Sequence, residues 1–108
     1  MKTLNATIRG TFIGVEDHGV PTFMVDVEHE DGSQAFGTYD LRYYGIEPIL
    51  RTIRAVGAKS WENLKGKHCR VFIEDGLIRG IGHIVHSEHR FMIADLNVEI
   101  ERSKGATT

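Results

Sequence analysis

The chain has 108 residues, of which 41% are hydrophobic, with a single cysteine and a formal net charge of -2. That is the size of one domain, able to bury a core without disulfide or metal staples. Cys69 alone cannot close an internal disulfide, no stretch approaches the ~20 apolar residues of a membrane span, and the start MKTLNATIRG lacks the apolar run of a signal peptide, so a cytosolic location is expected.

The first 40 residues hold seven acidic and two basic side chains, and the remaining 68 hold eight and eleven. If the fold keeps this division on its surface, an anionic ligand is drawn to the second half, and oppositely charged faces can meet in an oligomer. A mildly acidic domain is a poor match for non-specific nucleic-acid binding.

Asn5 to Val15 (NATIRGTFIGV) reads as a long strand, with a bulge expected at Gly10 or Gly14. Glu16, Asp17, His18 and Gly19 are turn formers, and Pro21 opens a second strand in which Phe23, Val25 and Val27 alternate with Met24, Asp26 and Glu28. Asp31-Gly32 predicts a tight hairpin, and a third strand follows through Gln34, Phe36 and Thr38. After Tyr43 the period changes: Ile46, Ile49, Leu50, Ile53 and Val56 recur at helical spacing, with Pro48 in the first turn and Gly57 as the left-handed end.

Ser60 to Leu64 reads as a single turn, with Ser60 capping and Trp61 and Leu64 folding onto the core. A fourth strand carries Val71 and Ile73, Asp75-Gly76 turns, and a fifth strand is predicted from Leu77 to about His86. Phe91 to Ile100 has the apolar content of a sixth strand or a short helix, and residues 101–108 are expected to be a flexible tail. The fold class expected is α+β: a small antiparallel sheet of five to six strands built from hairpins, packed with one main helix in one ligand-binding domain over residues 1–100.

No catalytic constellation emerges. Adjacent turn residues such as Glu16, Asp17 and His18 rarely converge on one reacting atom, Cys69 lies in a predicted strand as a core residue, and the nucleophile elbow and phosphate-cradling glycine spacings are absent. His83, His86 and His89, with Glu88 and the distant His68, resemble a metal site on paper. A continuous strand would set His83 and His86 on opposite faces, so no metal is expected there. Arg70, Arg79 and Arg90 lie in or beside the last two predicted strands, where antiparallel pairing could set the first two on one face; such a pair suits phosphate. Phe36, Tyr39, Tyr43 and Phe72 are the aromatic side chains that could stack on a base.

Taken in order, EDHG after the first strand, AFGTYDL before the helix, VGAKSWENLKGKHCRV after it and RGIGH in the last hairpin resemble a family of small phage proteins, the first type of Thoeris anti-defence protein. The similarity spans residues 5 to about 86. The resemblance implies a phage sponge in the host cytoplasm, a homo-oligomer of hexameric type. It would sequester a cyclic ADP-ribose-type signal of bacterial TIR enzymes, glycocyclic ADP-ribose, without cleaving it and without a cofactor. Related members are similar to sponges for the cyclic oligonucleotides of CBASS immunity. The chain departs from the family pattern between Phe36 and Ile46, where Thr38 replaces a glycine and Arg42-Tyr43-Tyr44 replaces a longer insertion.

A ligand with two linked phosphates and an adenine asks for cationic forks, a flat ring and a polar reader of the base edge. Arg70, Phe72, Arg79, His83 and Arg90 are the candidate ligand-binding residues, expected to meet in a pocket between subunits, with no membrane or polymeric nucleic acid as partner. The rival readings are a protein-interaction or inhibitory module with no small-molecule ligand, and a metal-binding protein built on the histidine run.

Overall fold

The structure, a computed structural model, describes residues 1–37, 39–86 and 88–106. Six strands form one antiparallel sheet: β1 (Lys2–Val15), β2 (Pro21–His29), β3 (Gly32–Gly37), β4 (His68–Glu74), β5 (Leu77–His83) and β6 (Arg90–Met92). Their order across the sheet is β3-β2-β1-β4-β5-β6. Three helices complete the α+β fold: α1 (Leu41–Tyr44), α2 (Glu47–Val56) and α3 (Ile93–Ala106). None is long and apolar enough to cross a membrane.

The long first strand holds the sheet together because its two halves have different neighbours. Residues 2–7 pair with β4 and residues 6–15 with β2. Arg9 is the extra residue where the register shifts between Ile8 and Gly10, next to the glycine that the sequence marked as a place for a bulge. Alternation then sends Leu4, Ala6 and Ile8 inward with Phe23, Val25 and Val27 of β2, all nearly inaccessible.

The sheet curls. β3 and β5 run in the same direction and approach each other: the Gln34 side-chain amide donates to the Gly76 carbonyl at 2.8 Å, and the Phe36 and Phe91 rings meet edge to face, 5.9 Å between centroids. Phe23 and Phe36 are fully buried inside this curl, where Trp61 meets the Phe23 ring edgewise and Tyr39 meets it tilted at 42°.

α2 covers the curl over β5 and β6 through Thr52, Ala55 and Val56, and ends at Gly57 with φ 83°, the left-handed stop that the sequence predicted. The Thr52 hydroxyl donates back to the Pro48 carbonyl at 2.7 Å, which satisfies it in the core. Asp75 and Gly76, both at positive φ, form the two-residue turn between β4 and β5 as expected.

Several boundaries differ from the sequence reading. The β2–β3 turn uses Glu30 and Asp31, because His29 pairs with Gly32, so glycine opens the strand at φ 132°. α1 appears where the sequence showed only a polar stretch: the Asp40 carboxylate accepts the Arg42 N–H at 2.9 Å and caps it. The apolar run after Arg90 forms both a short strand and a helix, and α3 carries the backbone on to Ala106. β5 ends at His83, three residues short of the expected end. Thr38 and Ser87, and residues 107–108 of the expected tail, lie outside the described residues.

Candidate functional site

Strand alternation sends Cys69 and Val71 of β4 into the core and turns Arg70 and Phe72 to the sheet face that carries no helix. Register carries this across the sheet. Arg70 pairs with Gly82, and Gly82 with Arg90, so two arginines flank a residue without a side chain. A Cβ at Gly82 would come within 3.1 Å of the Phe72 ring and 3.2 Å of the Arg90 Cβ, so the glycine is the space that ring and chain occupy.

The Arg90 guanidinium lies 5.5 Å from the Phe72 ring centroid, a cation–π arrangement. Phe72 is only 4% exposed. Its ring is therefore a floor beneath Arg90 and not a bare platform for a base.

On the other side of Arg90 a cleft of about 500 Å³ opens between α2 and the β6–α3 junction. Arg51 and Arg54 line it from α2, and Glu88, His89, Arg90 and Asp95 from β6 and the residues flanking it. Arg51 is already committed. It bonds Glu47 at 2.9 Å and grips both oxygens of Glu99 at 3.2 and 2.6 Å, which raises its own pKa and holds the Glu99 carboxyl below its ordinary range. Among the described residues no carboxylate pairs with Arg54, Arg70 or Arg90. Arg54 and Arg90, neither with a carboxylate partner among the described residues, line the cleft from two elements, and their charges favour an anion near it.

The other two candidates stand apart from this row. Antiparallel pairing does not set Arg79 beside Arg70: it is the extra residue of the β4–β5 bulge, Arg70 faces Gly82, and the charge of Arg79 is felt instead at the Tyr39 hydroxyl. That hydroxyl is driven to a higher pKa by burial, an effect Arg79 partly offsets. His83 lies opposite Cys69 on the helix-covered side, where a Cβ on Gly57 would sit 2.9 Å from its ring. Its Nδ1 accepts the N–H groups of Val85 and His86 at 3.0 and 3.1 Å, which places the ring proton on Nε2 and makes His83 the cap of the turn leading to His89 and Arg90.

Because β5 stops at His83, the histidines do not alternate across a sheet. The rings of His83, His86 and His89 gather with centroids 4.9, 5.7 and 6.2 Å apart. The assumption of a continuous strand fails here. Even so, among the described residues no group of three or more His, Cys, Asp or Glu is placed to hold a metal ion, and His83 Nδ1 is occupied by backbone donors.

Two further candidate groups, Glu16 and Cys69, are occupied by the fold. The Glu16 carboxylate accepts the N–H groups of His18 and Val20 at 2.7 and 3.1 Å, closing the turn. Burial pushes the Cys69 thiol up to about 12, so it carries no thiolate at neutral pH.

Sequence reasoning missed Arg54 and weighed His89 only as a metal ligand. Arg54 read as the solvated face of an amphipathic helix, and only the packing of that face beside β6 makes it part of a cleft.

No protein-family model and no curated protein matches the chain. The connectivity itself is informative: a β1–β2–β3 meander, a helical link, and a β4–β5 hairpin that returns to β1 resemble the partly open Greek-key barrel of oligonucleotide- and oligosaccharide-binding domains. In such barrels strands 2 and 3 present the binding face. Here that face pairs Asp26 with Ala35 and Glu28 with Ser33, and the Glu28 carboxylate bonds Arg9 of β1 at 3.3 Å.

Proposed function

We propose that the protein binds a small anionic nucleotide signal and holds it uncleaved, as the phage sponges do that its motifs resemble. The ligand class is a cyclic ADP-ribose-type molecule, glycocyclic ADP-ribose, or a cyclic oligonucleotide of similar charge. The place of action is the host cytoplasm, and the active form is a homo-oligomer of hexameric type.

Arg90 carries this reading. It rests on the Phe72 ring, stands in one row with Arg70, and lines the cleft with Arg54 and His89. A supported guanidinium with no paired carboxylate among the described residues is a donor fork held ready for phosphate, and its preorganisation lowers the entropy lost on binding. The state of the other groups favours retention over turnover. The Glu16 carboxylate, the Cys69 thiol and the His83 Nδ1 are each occupied or neutralised by the fold.

Calorimetric titration with glycocyclic ADP-ribose and with cyclic oligonucleotides tests the proposal. Heat of binding is expected with at least one of them. Replacing Arg90 by alanine should weaken that affinity about 10- to 100-fold, the worth of a hydrogen bond to a charged group, with the thermal transition retained. Silence with every ligand would sink the sponge and leave the protein-interaction reading.

A further inference from the structure

We infer that the open edge of β1 is an interface for a second copy of this chain, the two strands pairing antiparallel about Ile13. The inference is independent of the ligand reading.

β4 accompanies β1 only as far as Thr7. The next residue, Ile8, is still satisfied on that side, its N–H donating to the Lys67 carbonyl and its carbonyl accepting from Gly66, both at 2.8 Å. From Gly10 to Val15 the only strand beside β1 among the described residues is β2.

Which backbone groups face the open side follows from the hairpin. Val15 lies opposite Pro21, which has no N–H, while Glu16 donates to the Val20 carbonyl at 3.0 Å. Alternation therefore points the N–H and C=O groups of Val15, Ile13 and Thr11 away from β2. Phe12, Ile13 and Val15 are 41%, 47% and 65% exposed. Between Gly10 and Val15 there is no charge, no lysine and no proline to blunt the edge, and the bulge at Arg9 lies before this stretch.

A second copy fits this edge because the edge is complementary to itself. With Ile13 facing Ile13 of the second copy across a twofold axis, Thr11 faces Val15 and Val15 faces Thr11. Each of these three pairs exchanges two backbone hydrogen bonds, about six in all, and every outward group is used. Aliphatic and β-branched side chains then meet across the junction. At the two ends Arg9, which bonds Glu28 of its own chain at 3.3 Å, comes near the turn that carries Asp17 of the second copy, so opposite charges approach twice by symmetry. The alternative centre, Phe12, would set Ile8 opposite Glu16 although the Ile8 groups are already bonded to Gly66 and Lys67.

Sedimentation of the full chain, with single-cysteine cross-linking, tests the interface. Ile13→Lys should reduce the assembly to half its mass or less with its thermal transition retained. Under mild oxidation Ile13→Cys should form a disulfide-linked dimer, because residues on the axis sit about 5.5 Å apart between Cα atoms, within disulfide reach. Thr11→Cys should not, since the two copies of residue 11 lie on opposite sides of the axis; the native Cys69 is buried and takes no part. An assembly unchanged by Ile13→Lys, a wild-type monomer at every concentration, or equal cross-linking at positions 11 and 13 would overturn the inference. None of these outcomes depends on whether a nucleotide binds at Arg90.

Discussion

Two regions of the molecule use glycine in strands to opposite ends. At the β4–β5–β6 end, Gly80 and Gly82 leave space that other side chains fill: a Cβ at Gly80 would strike Met92 and lie 2.7 Å from the Phe91 carbonyl, and one at Gly82 would meet Phe72. The Phe72 ring of that face is nearly buried, and the Arg90 guanidinium lies over it. In the β1–β2 arm, Gly14 receives only the Phe12 ring of its own strand, and Phe12, Ile13 and Val15 stay exposed. Apolar content in a strand thus says little about burial until the covering element is known. The first region buries its ring beneath a cation, and the second leaves apolar side chains at the surface.

Truncation at the two kinds of site sharpens this contrast most. Phe23 is fully buried between β1 and β3, so Phe23→Ala should cost about 3–5 kcal/mol in urea unfolding. Phe12→Ala, introduced beside Ile13→Lys so that assembly does not enter, should change stability by no more than about 0.5 kcal/mol. Similar losses at the two positions would mean that the arm is covered within the chain.

A smaller effect concerns the rim of the cleft, where Arg51 ties α2 to α3 through Glu99. The bonded guanidinium lowers the Glu99 carboxyl below its unfolded value. Its contribution is therefore complete above the unfolded carboxylate value of about 4.3 and fades as pH falls through the lower folded value. The stability difference between wild type and Glu99→Gln should be small at neutral pH, because Glu99 is exposed, and should vanish in acid. A difference independent of pH would assign the link to packing.

Much of the fold could be read from local chemistry. Alternation in Phe23, Val25 and Val27, the helical spacing from Ile49 to Val56, the left-handed Gly57 and the Asp75-Gly76 turn each follow from a short stretch, and each is found. The curl that brings Gln34 to Gly76 is not written in any stretch, because it sums twist over five strands. α1 escaped notice because its four residues carry no period, only the Asp40 cap.

The candidate site was partly legible for the same reason. Arg70, Phe72 and Arg90 lie on one face through strand parity and register, whereas Arg79 was displaced by a bulge and His83 was turned to cap a loop, both products of pairing geometry. Arg54 and His89 belong to the cleft only through the packing of α2 beside β6.

Retention of a small anionic signal, unchanged, by a guanidinium row and its cleft is the proposal on which the functional reading depends. Mass spectrometry of whatever heat releases from the protein, after exposure to glycocyclic ADP-ribose and removal of the excess, tests it directly. The ligand is expected at its original mass, with much less of it from Arg90→Ala; recovery of a cleaved product, or of nothing from the wild type, would overturn the sponge.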